Sequence, residues 1–148
     1  MNDLDLVKSA LRSIEAGDFL HYREQYADNF ILTGPVPKPL SRVEYVDQMR
    51  AMLKAFPDWK FNATNFKQVR DHISFSTRIS GTHTGVLDLP GLGISGVQPT
   101  GKHFTLPEEL QTVTVENGKI TRAESNIVSG GGLMGMLAQI GVQIPGRV

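Results

Sequence analysis

Moving a proton to or from a carbon beside a carbonyl needs a base for the proton and a donor for the enolate oxygen that results. Three places in this 148-residue chain have residue types and spacing that fit such work. His83 has the parity of Ile73, Phe75 and Ile79, so an extended chain turns its imidazole to the apolar face as acid, base or donor. Glu109 and Gln111 have the parity of Val113 and Val115 and are expected to face the core. Glu124 and Asn126 share parity with Ile120 and Val128 and are expected to face inward as well. If these groups converge, a carboxylate can orient the imidazole of His83 or have its own pKa raised by burial.

Each residue also has a plainer reading. His83 can be a core histidine with one nitrogen held by backbone. A one-residue slip at Pro107 would turn Glu108 in and Glu109 out, while Ala123 and Ile127 argue for a surface Glu124. Trp59, Tyr22, Tyr26, Phe30 and Phe75 can line a cavity, with the tyrosine hydroxyls as donors, or can simply fill a core. His72, His83 and His103 are too dispersed for a metal motif, so no metal and no cofactor is expected. GLGISG at 91–96 precedes no helix and reads as a rim or lid loop, not a phosphate cradle.

The elements that must position these side chains follow from the changing period of the apolar residues. Leu4, Val7, Leu11 and Ile14 recur at helical spacing over 3–16, with Asn2 or Asp3 as cap and Gly17 as stop. Asp18 can cap a short second helix containing Phe19, Tyr22 and Tyr26, after which NFILT reads as a strand and GPVPKP as a loop. Ser41 and Glu44 have the spacing of a capping box, and Tyr45, Met49, Met52, Leu53 and Phe56 continue a third helix over 42–56 until Pro57.

Beyond Trp59 the period becomes two, and four antiparallel strands are expected at 59–69, 72–88, 103–116 and 119–128. The stretch LPGLGISGVQPTGK between the second and third reads as a long flexible hairpin loop, and Pro107 as an irregularity in the third. Asn117-Gly118 has the composition of a type I′ hairpin turn. After Gly130-Gly131-Gly132, LMGMLAQIG is a short apolar segment stopped by Gly141, and the tail VQIPGRV is expected to lie against the body.

Composition excludes several classes. With 40% hydrophobic and 20% charged residues the chain can bury a core, and its length suits a single domain over 1–148. Fifteen basic residues balance fifteen acidic ones without a basic run, so neither nucleic acid nor a membrane surface is an expected partner. No cysteine is present, which removes disulfides and thiolate nucleophiles. The start MNDLDLVKSALRS is acidic where a secretion signal is basic, so a cytoplasmic location is expected.

Helices first and then an antiparallel meander with one apolar face make an α+β plan, with the sheet curling over the helices. The strings FPDW at 56–59, GTHTG at 81–85, PTGKHF at 99–104, NGKI at 117–120 and LAQIG at 137–141 resemble, in order and spacing, the SnoaL-like polyketide cyclase group of the nuclear transport factor 2-like superfamily. The resemblance runs from about Leu4 to Val142. It implies a conical α+β barrel, a central pocket for a small hydrophobic molecule, and a homodimer formed through the outer sheet face. It also implies, on the final strand, a Trp and four residues later an acid, at positions that fall here on Glu124 and Val128, and neither residue matches. Val128 cannot move a proton, and Glu124 is the carboxylate on that strand able to replace the acid.

Overall fold

The computed structural model describes residues 2–34 and 38–143, so part of the GPVPKP loop and most of the tail expected to pack on the body lie outside the described residues. Helix α1 (Asp3–Glu15) starts where the Asn2 side chain accepts the Asp5 N–H at 2.8 Å. Its buried stripe is Leu6, Val7, Ala10 and Ile14. Helix α2 is a single turn (Tyr22–Gln25) that passes directly into strand β1 (Tyr26–Thr33), which thus begins before NFILT.

Strand β2 (Leu40–Ser41) leads into α3 (Arg42–Ala55) through the expected capping box. The Glu44 N–H donates to Ser41 Oγ at 3.3 Å, and the Ser41 N–H donates to Glu44 Oε1 at 3.0 Å. The far end of α3 is held by a close backbone approach. The N–H groups of Thr84 and Gly85 both donate to the Ala55 carbonyl, at 3.1 and 3.0 Å. A Cβ on Gly85 would sit 1.9 Å from the Lys54 carbonyl oxygen, so only glycine fits in the GTHTG string at that point.

The second half of the chain forms β3 (Thr64–Val69), β4 (His72–Thr77), β5 (Ser80–Thr82), β6 (Leu87–Leu89), β7 (Ile94–Val97), β8 (His103–Thr105), β9 (Glu109–Glu116) and β10 (Lys119–Ser125), followed by helix α4 (Gly132–Ile140). Six strands share one sheet in the order β2-β1-β10-β9-β4-β3, while β5 pairs with β8 and β6 with β7. The α+β class is as expected, but the large sheet is mixed, because β1 runs parallel to β10. Both residues of the Asn117-Gly118 turn have positive φ, 52° and 75°, as a type I′ hairpin requires.

Three strand expectations need correction. The 59–69 strand enters the sheet only at Thr64, because its first residues bond elsewhere: Lys60 and Ser80 exchange two 3.0 Å backbone hydrogen bonds, and the Arg78 N–H donates to the Phe61 carbonyl. That same contact ends β4 at Thr77, so 72–88 is several short strands instead of one long one. Pro107 separates β8 from β9 entirely.

The glycine-rich stretch after Leu89 is no plain loop. Leu87, Leu89 and Ile94 are buried, and β6 and β7 form a hairpin around a short 3-10 turn at Pro90–Leu92, pinned where the Gly96 N–H donates to Asp88 Oδ1 at 2.6 Å.

Helix α4 is seated at its far end by an amide clasp. The Thr105 N–H donates to Gln139 Oε1 at 3.0 Å, and Gln139 Nε2 donates to the Thr105 carbonyl at 2.8 Å. Helix α1 packs with β1, β4, β9 and β10 in one core cluster, and α3 and α4 pack with β6, β7 and β8 in the other. No helix among the described residues is long and apolar enough to cross a membrane.

Two substitutions test these supports by thermal and denaturant unfolding. Ser41→Ala removes half of the capping box and is expected to cost about 1 kcal/mol. Gly85→Ala forces the close approach apart and is expected to cost about 1–3 kcal/mol; unchanged melting would show that the contact with α3 is loose.

Candidate functional site

The sheet and the three helices line a cavity of about 160 Å3 that is partly open to solvent. Its wall is mainly apolar, with Val7 and Leu11 from α1, Met49 and Met52 from α3, Leu133 and Met136 from α4, and Phe75, Val113, Ile120 and Ala123 from the sheet. Register gathers the polar part. Gln111 stands opposite both Phe75 and Ser125, and Glu109 stands opposite Thr77. Residues directly opposed across strands share a face, so β9 in mid-sheet places Thr77, Glu109, Gln111 and Ser125 side by side on the inner one.

Most of this patch is satisfied internally. Gln111 Nε2 donates to Thr77 Oγ1 at 3.1 Å, and the Ser125 hydroxyl donates to Gln111 Oε1. Glu109 differs. It is 2% exposed, and its Oε2 accepts the Gly132 N–H at 3.1 Å, in the first turn of α4. Its Oε1 is buried in the wall with no hydrogen-bond partner among the described residues. Burial raises the Glu109 pKa above the ordinary carboxylate value, and the Gly132 N–H offsets part of that rise.

The glycine triplet explains how α4 comes so close. A Cβ on Gly131 would meet Val128 Cγ2 at 2.5 Å and Glu109 Oε2 at 3.1 Å. Trp59, 8% exposed, lines the same cavity, and its indole N–H also lacks a partner among the described residues. Tyr26 and Tyr45 meet edge to face with centroids 5.7 Å apart. Burial pushes the Tyr45 hydroxyl up to about 12 and Tyr26 up as well, so both remain neutral donors over the physiological range.

Of the residues singled out from sequence, Glu109, Gln111, Trp59, Tyr26 and Phe75 line this cavity. His83, Glu124, Asn126 and Tyr22 do not. His83 is fully buried, as its parity required, but β5 has left the large sheet and pairs with β8, so the ring lies against Phe56 with centroids 5.4 Å apart. Its Nδ1 accepts the Thr100 N–H at 3.1 Å, and burial lowers its pKa, so it packs as a neutral core histidine. The convergence of His83 with Glu109 on one cavity is not found.

Glu124 and Asn126 are reversed by a register shift between Ile120 and Arg122. The bulge turns Ala123 and Ser125 inward, leaving Glu124 exposed in an ion pair with Arg122. Asn126 is exposed and its Oδ1 accepts the Leu110 N–H at 2.7 Å, closing the end of the β9–β10 pair. Tyr22 lies outside, with the Arg42 guanidinium 5.4 Å above its ring.

Sequence reasoning missed Gln48, Tyr45 and Ser125 as wall residues. Ser125 was not legible, because its direction depends on the bulge. Among the described residues, no three His, Asp or Glu side chains gather as metal ligands.

Because burial raises the folded-state pKa of Glu109, its contribution is fully present below the unfolded value and is lost as pH rises through the folded pKa. Glu109→Gln keeps the shape without the charge. Its stability relative to wild type should therefore increase as pH rises through the Glu109 titration, measured by denaturant unfolding across a pH series. Gly131→Ala should push α4 off the carboxyl, lower the melting temperature and raise the Glu109 pKa further, read by carbon NMR of the side-chain carboxyl. An unmoved pKa would mean that the Gly132 N–H does not tune the acid.

A family model described as SnoaL-like polyketide cyclase matches residues 5–139. Comparison with curated proteins returned no significant match. Among solved structures, the chain is similar to a candidate SnoaL-like polyketide cyclase from Jannaschia sp. CCS1, with TM-score 0.73 and 13% identity over 95% of this chain and 92% of that one. It is also similar to IdmH, a candidate polyketide cyclase from Streptomyces antibioticus, with TM-score 0.71 and 22% identity over 96% of this chain and 100% of the other. TsrD from Streptomyces laurentii follows with TM-score 0.69 and 17% identity, covering 95% of each chain. At these identities the structural likeness shows the fold, and the family model, which spans most of the chain, shows the membership: this protein belongs to the SnoaL-like polyketide cyclase family.

Proposed function

We propose that this chain is a single-domain protein that binds a small, mainly apolar organic molecule in the cavity and exchanges a proton with it through Glu109. The observation that carries the reading is the buried Glu109 carboxyl in a mainly apolar wall, whose Oε1 has no hydrogen-bond partner among the described residues. A carboxyl whose pKa is raised by burial is a stronger base than an ordinary carboxylate and can return the proton as the acid. As a carboxylate it takes the proton from the carbon beside a carbonyl, and the electron pair of that C–H bond moves onto the carbonyl oxygen as an enolate. As the acid it returns the proton, so the cycle needs no oxidant.

Gly132 contributes at the other carboxyl oxygen, where its N–H favours the ionised form. Gln111 is held at both ends of its amide and serves to set the wall. Trp59 supplies a donor. This arrangement would move the family's acid chemistry from the segment just after β10, where Val128 stands, to the neighbouring strand β9. His83 and Glu124 take no part in the proton transfer proposed here, since neither lines the cavity.

The alternative is a non-catalytic binder, favoured by Val128 in the acid's place. The reading also carries a cytoplasmic location and a homodimer through the outer sheet face, where Leu110 of β9 is 48% exposed.

Solvent-deuterium exchange tests the chemistry. Incubated in deuterium oxide with small cyclic ketones, the wild-type chain should label the carbons beside the carbonyl, and Glu109→Gln should slow that labelling by about a hundredfold or more. Equal rates in the two proteins would remove Glu109 as the acid/base group. Binding without any labelling would establish the non-catalytic alternative.

A further inference from the structure

We infer that Gln48 is a specificity-determining residue of the cavity, whose side-chain amide binds an uncharged oxygen group of the ligand, such as a ketone carbonyl, while the ligand's apolar body fills the space beyond it. This rests on the reading that the cavity holds a ligand, and it adds which class and which residue selects it.

Helix spacing aims Gln48 inward. Tyr45, Gln48, Met49 and Met52 of α3 stand three and four positions apart along one stripe, and all of them line the cavity. Charged side chains of the same helix are used elsewhere: Arg42 meets Asp28, Glu44 meets Lys38, Asp47 meets Arg50 and Lys54 meets Asp88. Gln48 is the amide that α3 gives to the wall.

That amide is available to a ligand. Gln111, the other amide in the wall, is engaged by Thr77 and Ser125. The Gln48 side chain makes no hydrogen bond among the described residues, and the residue keeps partial exposure beside the cavity. Thr33 at the end of β1, Ser125 at the end of β10 and Leu133 at the start of α4 are wall residues with the same partial exposure. Since the cavity is partly open, selection lies in this polar contact and not in the number of rings.

The chemistry of the amide sets the class. A glutamine side chain is uncharged and offers N–H donors and a carbonyl acceptor. A ligand that covers it strips it of water, so a hydrocarbon leaves the amide unpaired, whereas a carbonyl oxygen that accepts its N–H restores the bond. Among the described residues no Lys, Arg or His lines the cavity, and the carboxyl of Glu109 does, so an anionic head finds no countercharge. The selected ligand is therefore a neutral apolar molecule carrying a carbonyl or comparable oxygen.

The test is calorimetric titration of the full chain with probes that share one ring system: α-tetralone, tetralin and the carboxylate of tetralin. The ketone should bind about tenfold tighter than the hydrocarbon, and the carboxylate weakest. Gln48→Leu keeps the bulk without the amide, so the ratio of ketone to hydrocarbon affinity should fall to about one while tetralin binds at least as well as before. Gln48→Met, with an unbranched apolar side chain, should behave the same way and serves if the leucine variant fails to fold. A loss of packing alone would weaken both ligands and leave their ratio unmoved.

Ketone preference surviving in both variants would overturn the role of Gln48. Equal binding of ketone and hydrocarbon by the wild type would overturn the inference and leave the ligand reading in place. If the carboxylate binds tightest, the neutral class is wrong. Absence of binding by every probe would remove the ligand reading together with the inference, whereas failure of the deuterium exchange alone leaves this selectivity standing.

Discussion

The carboxyl of Glu109 meets the first turn of α4, and the cavity is built around that meeting. Burying a carboxyl without compensation is expensive. The Gly132 N–H and the positive end of the α4 dipole offset part of the cost, by about 1 kcal/mol for a charge at a helix start. The remainder is seen as the raised pKa. The contact is possible because Gly131 has no side chain to come between Val128 and the carboxyl. The same contact, with the Gln139–Thr105 clasp at the opposite end, fixes α4 over the cavity as its third wall.

Partial compensation has a chemical result. A fully bonded carboxylate would be a structural ion, and a carboxyl with no partner would stay a neutral acid well above physiological pH. Glu109 lies between, with one oxygen held and the other facing apolar surroundings. The neighbouring Gln111 shows the contrast. It has as polar a side chain, but Thr77 and Ser125 occupy both ends of its amide. Strand β9 thus carries a half-satisfied carboxyl and a fully engaged amide two residues apart on a single face.

Family membership and local chemistry part company just after the last strand. Val128, at the position where the resemblance implies an acid, is the residue whose methyl limits what Gly131 can be. The glycine triplet is therefore coupled to the position of Glu109.

Local rules were enough for much of this. The capping box at Ser41 and Glu44, the type I′ turn at Asn117-Gly118, the helical stripes, the α+β order and the inward parity of Glu109 and Gln111 each depend on residues within a few positions of one another. What failed was parity carried across an interruption. The bulge between Ile120 and Arg122 turned Glu124 and Asn126 outward and brought Ser125 in, and the departure of β5 from the sheet took His83 into a separate part of the core. Side-chain alternation is a property of the strand's own backbone, legible from the sequence. The register of a bulge, the break at Thr77 and the parallel pairing of β1 with β10 are fixed by hydrogen bonds between distant segments, and so only the tertiary structure decided them.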